Sequence, residues 1–294
     1  MLDYPALAAV ACVAREGSFE RAAERLGITP SAVSQRVRAL EERLGSILIV
    51  RGQPCVATEL GHRLCAHVDQ VQLLEAELAP ALALPTNAPV TLRIAVNSDS
   101  IASWFPQAAA DFARATGHLL DFMIEDEEVT ANRLRSGEVL AAVSADPGAV
   151  QGCKTVELGS LEYQACCNPD FAARYFPNGV TGESLSRAPC LRFERRDGLQ
   201  ARWARESHGL ALNAPMHWVP STYGFLNFAL AGMAWGMHPA MISRPLVEQG
   251  LLVELTPDTP LRVKLYWTVT RLHASALKTL TDAVRRVAAA KLLQ

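Results

Sequence analysis

Polar side chains between residues 29 and 44 have the types and the spacing that read DNA bases. Serine, glutamine and arginine recur on one face of a predicted helix, and a further arginine follows the helix. Glutamine can pair with an adenine edge, arginine can bind a base or a phosphate, and serine is short enough to allow close approach. The same residue types also occur on ordinary solvated helix faces, so the neighbouring predicted elements determine which of the two interpretations holds. The predicted DNA contacts are Ser31, Ser34, Gln35, Arg36, Arg38 and Arg51.

Hydroxyl and carboxyl groups follow predicted strands in the second part of the chain, where α/β folds bind small molecules. Backbone N–H groups and serine hydroxyls at residues 98–100 suit the carboxylate of an amino acid, and Asp126 could face an ammonium group. Helix capping explains the residues at 98–100 and 126 equally well. The candidate small-molecule contacts are Ser98, Asp99, Ser100, Trp104, Asp126, Ser144, Asp197, Thr222 and Tyr223.

Composition indicates a globular protein of two or three compact units. The chain has 294 residues, of which 50% are hydrophobic and 20% charged. A net charge of -2 disfavours a non-specific nucleic-acid coat, although a local basic patch can still bind specific DNA. The sequence has no apolar run long enough to span a membrane and no signal-peptide pattern at Met1. We therefore expect a cytoplasmic location and no membrane partner.

The cysteine spacing and the lack of catalytic motifs further narrow the chemistry expected of this sequence. Seven cysteines without a Cys-x-x-Cys spacing fit neither a zinc site nor a disulfide framework, so we expect reduced and mostly buried thiols. The sequence contains no nucleophile elbow, no phosphate-binding P-loop and no metal-ligand cluster. We therefore expect neither an enzyme nor a bound cofactor or metal.

The elements around the first polar face predict a winged helix-turn-helix. Apolar spacing predicts a helix that stops at Gly17, a second capped by Ser18, and a third from about Pro30 to Leu44. Residues 47–50 read as a strand, and a turn and a returning strand at Val56 complete the wing. This arrangement places the third helix in the major groove.

A long helix opening at residues 58–61 connects this unit to the rest. Its apolar residues recur at spacings of three and four, close to a heptad seam, which predicts a partner helix from a second copy. The seam consists of Leu60, Leu64, Val68, Val71, Leu74 and Leu78, and residues 85–89 form a proline-containing linker.

From Val90 the pattern alternates between strands and helices. Strands at 91–96, 119–124 and 139–143 enclose helices at about 100–116 and 129–136, an order that favours a largely parallel sheet covered on both faces. Further strands are predicted at 162–167, 190–193, 216–219, 235–239, 252–255 and 263–269, and a final helix at about 275–293.

The first 65 residues resemble the LysR-type transcriptional regulators. The resemblance lies in Gly17-Ser18-Phe19, Ala22 to Leu26, Thr29 to Gln35, Leu40-Glu41, Leu44-Gly45, Val50-Arg51 and Thr58 to Gly61. It extends over the whole chain to the ArgP/LysG subgroup through segments such as Ala95 to Ser100, Arg133 to Val143, Tyr175 to Thr181, Trp235-Gly236-Met237 and Leu265-Tyr266-Trp267.

The resemblance implies a regulator that responds to lysine or arginine and controls a basic amino-acid exporter gene. The implied fold is α/β: an N-terminal winged helix-turn-helix (1–60), a linker helix (61–89) and a two-lobed periplasmic-binding-protein-like effector domain (90–294). The first lobe spans about 90–161 and 268–294, and the second about 162–267. The implied partners are double-stranded DNA, an amino-acid effector, further copies joined through the linker helix in a dimer or tetramer, and RNA polymerase.

Three positions depart from the subgroup pattern. Tyr223 and Arg196 stand where members of the subgroup carry acids, and His238 stands where an apolar residue is usual. The loss of two acids should weaken the binding of a ligand with two positive charges. A neutral amino acid therefore remains an alternative effector, and His238 can also be a core or rim histidine.

Two other functions remain open from the sequence. An architectural protein would bind curved DNA without a ligand, although the low net charge disfavours the many phosphate contacts this needs. A redox sensor could use Cys166, Cys167 or Cys190, with Arg192 near the last of these, because some LysR-type proteins sense peroxide. Footprinting on unrelated DNA would test the first, and cysteine-to-serine variants the second.

Overall fold

The computed structural model describes residues 3–78, 89–124, 127–145 and 148–294. Asp126 and most of the predicted linker at 85–89 lie outside these ranges. The described chain forms a helical N-terminal unit, a long helix, and an α/β unit of two lobes.

The N-terminal unit is a winged helix-turn-helix. The helices are α1 (Tyr4–Glu16), α2 (Phe19–Leu26) and α3 (Pro30–Leu44), and the wing strands are β1 (Ile49–Val50) and β2 (Val56–Ala57). Ser18 and Thr29 cap α2 and α3, because each side-chain oxygen accepts a hydrogen bond from a backbone N–H three residues on. The strands pair antiparallel as predicted.

Glu41 ties the wing to α3. Its Oε1 accepts hydrogen bonds from the backbone N–H groups of Leu48, at 2.8 Å, and of Ile49, at 3.1 Å. These two donors lie just before and at the start of β1, where no neighbouring strand accepts their hydrogen bonds. The Glu41 carboxylate therefore fixes the position of the wing relative to α3.

The long helix α4 (Glu59–Leu78) packs on two cores in one chain. Leu60, Leu64 and Val68 contact the N-terminal core, whereas Leu73 is buried in the core of the α/β unit. Leu74 is 36% exposed. The predicted seam is therefore only partly available to a second copy, because its first half covers α1 of the same chain.

One seven-stranded sheet runs through both lobes of the α/β unit. Its strand order is β10-β6-β11-β5-β3-β4, and β9 also pairs with β6. Only β3, β4 and β5 are parallel, and the remaining pairs are antiparallel. The largely parallel sheet predicted from the alternating pattern is thus confined to these three strands. The bounds are β3 Thr91–Val96, β4 Leu119–Met123, β5 Ala141–Ser144, β6 Cys153–Cys167, β9 Gly236–Pro239, β10 Val253–Glu254 and β11 Leu261–Thr270.

A smaller parallel sheet, β7 (Cys190–Arg192) with β8 (Met216–Trp218), extends the second lobe. The single helix predicted at 100–116 is two helices, because Pro106 has no N–H to continue α5 and instead occupies the first turn of α6. The helices are α5 Ser98–Ala102, α6 Phe105–Thr116, α7 Glu127–Ser136, α8 Pro169–Tyr175, α9 Gly182–Arg187, α10 Leu199–His208, α11 Thr222–Leu230, α12 Ala240–Glu248 and α13 Lys278–Lys291, with a short 3-10 helix at Arg271–His273.

The two lobes are joined by β6 and β11, which lie side by side in the sheet. Both strands run from one lobe into the other, and their register shifts between Leu265 and Tyr266, opposite Gly159. Gly159 has φ 115, and a Cβ added there would lie 2.6 Å from the carbonyl oxygen of Leu293. Leu293 in turn pairs with Ser160 by backbone hydrogen bonds. The C-terminal residues therefore pack against the point where β6 and β11 pass from one lobe into the other.

Replacing Gly159 by alanine should lower the free energy of unfolding by about 2–4 kcal/mol, because backbone strain and a backbone clash add. Gly152→Ala is the matched control, since Gly152 has φ 81 and nothing within 4 Å of an added Cβ. Its cost should be about 1 kcal/mol, from strain alone. Urea unfolding of both variants measures the difference, and equal costs would contradict the close approach of Leu293.

Candidate functional site

One face of α3 is polar and the opposite face is buried. Ser31, Gln35, Arg36 and Arg38 are exposed and Ser34 is half-buried. The other side of the helix carries Val33, Val37 and Leu40 into the core. The helix therefore presents its hydrogen-bonding groups outward on a rigid, packed support.

The wing arginine joins this face. Arg51 donates to Ser34 Oγ at 3.4 Å, and its guanidinium lies 5.0 Å from the centroid of the Phe19 ring. Arg38 pairs with Glu42 at 2.8 Å, but both side chains are exposed, so solvent screens the pair and the arginine can exchange partners. The structure thus groups the six predicted DNA contacts on α3 and the adjoining wing.

A cavity of about 880 Å³ lies between the two lobes of the α/β unit. The first lobe contributes the start of α5 and the face of α7, and the second contributes the loop before α10 and the start of α11. Four of the predicted small-molecule contacts line the cavity: Ser98, Asp99, Asp197 and Thr222. The ends of several elements thus meet there, as expected for α/β folds.

A chain of hydroxyl groups links the lobes at Asp99. Thr222 donates to Asp99 Oδ1 at 2.9 Å, and Tyr163 donates to Asp99 Oδ2 at 2.7 Å. Ser98 Oγ lies 2.8 Å from Thr222 Oγ1, and because the threonine proton is already donated, Ser98 must be the donor. Asp99 therefore accepts bonds on both oxygens, which favours its ionised form.

Burial opposes that ionised form. It raises the pKa of Asp99, and the charge of Asp197 raises it further, while the bonds from Tyr163 and Thr222 lower it. Among the described residues, no lysine or arginine forms an ion pair with Asp99. The site therefore holds a buried carboxylate without an ion-pair partner among the described residues, in a cavity whose lining also includes Arg135 and Arg196.

Asp197 lines the cavity and also stabilises the loop that carries it. Its carboxylate accepts bonds from the backbone N–H groups of Phe193 and Leu199 and from the side chain of Gln200, at 2.9–3.2 Å. These bonds fix the loop between β7 and α10. Asp197 thus adds negative charge at a position that the loop holds rigid.

Five predicted contacts do not line the cavity or cannot be placed. Ser100 and Trp104 are buried in the first lobe, where the Trp104 indole N–H donates to Ser100 Oγ at 3.0 Å. Tyr223 is 61% exposed, and its hydroxyl donates to the carbonyl of Ala102 at 3.4 Å. Ser144 is half-buried beside Ala145, which does line the cavity. Asp126 lies outside the described residues.

Sequence reasoning missed Tyr163 and the cavity face of α7. Tyr163 lies within a predicted strand and reads as an ordinary strand residue, so only the pairing of β6 with its neighbours shows that its hydroxyl reaches Asp99. Asn132 and Arg135 line the cavity three residues apart on α7. That helical spacing was visible in the sequence, but the direction of the face was not.

Two of the departing positions also line the cavity. Arg196 is exposed at the rim of the second lobe. His238 is 2% exposed and packs edge-on against Phe225, with ring centroids 5.3 Å apart. Burial lowers the pKa of His238 to about 4, so the imidazole is neutral near pH 7. Both residues therefore lie in the lining of the cavity.

The described ranges contain no cluster of three or more metal-ligating side chains. No helix among them is both long and apolar enough to cross a bilayer.

The seven cysteines are buried, and no two of them form a disulfide. Burial raises the pKa of Cys166, Cys167 and Cys190 to about 12, although Arg192 opposes the shift at Cys190. Thiolates are the reactive form, so these positions are poor peroxide sensors. We expect Cys166, Cys167 and Cys190 to react with a thiol reagent at pH 7 only after urea unfolds the protein. Rapid labelling of Cys166, Cys167 or Cys190 in the native state, located by mass spectrometry, would revive the redox alternative.

Comparison with known families assigns the two units. Residues 5–62 match the bacterial regulatory helix-turn-helix protein family of lysR type, and residues 88–289 match the LysR substrate binding domain. The chain belongs to the LysR family of transcriptional regulators. The polar face of α3 therefore lies within the family's helix-turn-helix unit, and the cavity lies within the family's substrate-binding domain.

Relatives span the whole LysR-type chain. The transcriptional regulator ArgP of Pseudomonas fluorescens is 42% identical over 292 residues, covering 98% of this chain and 97% of the relative. The crystal structure of ArgP from Mycobacterium tuberculosis has a TM-score of 0.77 at 38% identity, covering 100% and 99% of the two chains. Full-length LysG from Corynebacterium glutamicum with bound effector Arg has a TM-score of 0.66 at 34% identity and covers both chains fully.

Proposed function

We propose that this LysR-type regulator binds a specific DNA site and changes that binding when an amino acid occupies the cavity. Lysine and arginine are the first candidates, and the regulated gene encodes an amino-acid exporter. The protein acts without catalysis, in the cytoplasm, as a dimer or tetramer joined partly through α4, and it contacts RNA polymerase at the promoter. The effector domain starts near residue 90, with lobes that divide near residues 161 and 268.

The polar face of α3 supports the DNA part of the proposal. It holds Gln35 and Arg36 exposed, on a helix fixed by a buried face and by the wing. Glutamine offers paired donor and acceptor groups for an adenine edge, and Arg36 and Arg51 offer phosphate contacts. Two copies of this unit would read two half-sites.

The carboxylate of Asp99 carries the effector part of the proposal. It accepts two hydroxyl bonds, has no ion-pair partner among the described residues, and faces a cavity that also holds Asp197. A ligand ammonium or guanidinium group would supply the missing charge through charge-assisted hydrogen bonds. Because Asp99 and Asp197 are both acidic, the ligand's carboxylate would point away from these two side chains, while its cationic group would contact Asp99.

The ligand would act by holding the lobes in one arrangement. The hydrogen bonds of Thr222 with Ser98 and Asp99 already cross the cleft. A cation bound to Asp99 fixes the side chains that the first lobe contributes to this contact, and the second lobe then closes on the ligand. The change in DNA affinity cannot exceed the difference in the ligand's affinity for the two arrangements.

Titration calorimetry of the full chain against the twenty amino acids tests the proposal, with the melting temperature as a second readout. We expect saturable binding of lysine or arginine and a raised melting temperature in their presence. Binding of another amino acid alone would show that Arg196 and Tyr223 have moved the specificity. No response to any of the twenty would refute the amino-acid effector.

A further inference from the structure

We propose that His238 determines effector specificity by accepting a hydrogen bond from an N–H donor at the end of the effector's side chain. The inference deepens the proposed function and rests on it. His238 lies on β9 in the second lobe, within the wall of the cavity.

The imidazole lacks hydrogen-bond partners. Its Nε2 is enclosed without a partner. Nδ1 also has no hydrogen bond with a described residue, but it is not enclosed in the same way. Buried polar groups in folded proteins are almost always bonded, and an unbonded one costs stability. Nε2 is closed off, whereas Nδ1 is not among the enclosed atoms, so an occupant of the cavity would reach the ring at Nδ1.

The surroundings of His238 define which part of an effector lies there. The ring packs against Phe225, its cross-strand neighbour on β6 is Gln164, and apolar side chains such as Met237 and Leu265 line the same cavity. His238 lies on β9 in the second lobe, whereas Asp99 lies at the start of α5 in the first lobe, so the two residues line the cavity from different lobes. An amino acid with one ammonium at Asp99 would extend its aliphatic chain along the apolar wall and bring its second nitrogen to the neutral ring.

Ligands that differ only in the terminal nitrogen test this. Lysine and norleucine share the same chain, but norleucine lacks the ε-ammonium. For His238→Leu we expect lysine affinity to fall about ten-fold or more while norleucine affinity stays within about two-fold. His238→Gln keeps an acceptor and should recover part of the lysine affinity. Calorimetry gives the affinities, with norleucine measured by displacement, and melting curves confirm that the variants fold.

Each outcome decides the inference. Equal losses for lysine and norleucine, or no loss for either, would overturn it, as would a His238→Gln variant no better than His238→Leu. If arginine proves to be the tighter ligand, it replaces lysine, and norvaline replaces norleucine as the ligand with the matching chain. If the wild-type chain bound neither lysine nor arginine, the inference would be overturned, whereas the proposed function would fall only if none of the twenty amino acids bound, so the two failures are distinguishable.

A separate contact points to a coupling element between the cavity and the DNA-binding unit, and we infer that α7 transmits the state of the cavity to α4. Helix α7 places Asn132 and Arg135 on the cavity wall. Just after its end, the carbonyl of Gly137 accepts a hydrogen bond from Gln70 Nε2 at 3.0 Å. One helix therefore touches the ligand site at one face and the linker helix at its end.

The fit at Gly137 is close. A Cβ added there would lie 2.0 Å from Gln70 Nε2, so the absence of a side chain makes room for the glutamine. Leu73, one turn further along α4, is buried in the core of the α/β unit. A movement of α7 would therefore shift the segment of α4 that contacts the α/β unit through both Gln70 and Leu73.

Gln70→Ala tests the coupling, and Gln72→Ala, an exposed glutamine on the same helix, is its control. We expect Gln70→Ala to leave effector affinity and DNA affinity without effector within about two-fold, but to reduce the effector-induced change in DNA affinity about three-fold or more. Fluorescence anisotropy with labelled operator DNA measures all three. A full response in Gln70→Ala, or an equal reduction in Gln72→Ala, would overturn the inference.

Discussion

Asp99→Asn should reduce the affinity for lysine or arginine by about 30-fold or more. The variant keeps an acceptor for Thr222 or Tyr163 but removes the charge that a ligand cation would neutralise. Loss of one member of a desolvated charge pair costs about 2–5 kcal/mol of binding free energy. Asp170→Asn, an exposed aspartate on α8, is the matched control and should bind as the wild type does. Calorimetry at pH 7 measures the difference.

The pH dependence gives an independent signature of the same carboxylate. Because burial raises the pKa of Asp99, protonation begins at a higher pH than for an ordinary aspartate. A cation binds the ionised form, so wild-type affinity should fall as the pH decreases through this raised pKa, and the affinity of Asp99→Asn should not follow. The raised pKa also means that the charge opposes folding above it, so the variant should melt no lower than the wild type at pH 7. A lower melting temperature with unchanged affinity would assign Asp99 to the fold alone.

Gln35→Ala should weaken binding to the specific DNA site about ten-fold while hardly changing binding to unrelated DNA. A paired contact of glutamine with one base is worth about 1–3 kcal/mol of discrimination. Gln35 is exposed at the centre of the polar face, so its loss leaves the helix packing intact. Gln151→Ala, an exposed glutamine in a turn of the effector domain, is the matched control.

Arg36→Ala should behave differently from Gln35→Ala. A phosphate contact weakens binding to every sequence alike and reduces the salt dependence by about one unit of slope. Binding of both variants to specific and unrelated duplexes over a range of salt concentrations separates the two roles. If Gln35→Ala lost affinity for both duplexes equally, the assignment of Gln35 to base reading would be wrong.

The DNA-binding unit was predictable because its determinants are local. Ser18, Thr29 and Gly27 mark helix ends within a few residues, and the apolar spacing of Val33, Val37 and Leu40 fixes which face points outward. The polar face follows from these elements without further information. The bonds from Leu48 and Ile49 to Glu41 were not predictable, because they depend on where the wing returns.

The effector site was less predictable because it forms between distant segments. The rule that ligands bind at strand ends located Ser98, Asp99, Asp197 and Thr222. It also included Ser100 and Trp104, because adjacent positions at a helix start look alike in sequence while only some face the cleft. Tyr163 reaches Asp99 from 64 residues away, a contact set by the long pairing of β6 with β11. Such placement is decided by tertiary structure.

The central claim is that one chain couples an amino-acid site to a DNA-reading helix. Footprinting of the full-length protein on genomic fragments, with and without saturating lysine or arginine, tests it most directly. We expect protection of a defined site and a change in its extent or strength when the amino acid binds. Protection spread over unrelated sequences, or a defined footprint that no bound amino acid alters, would contradict the account.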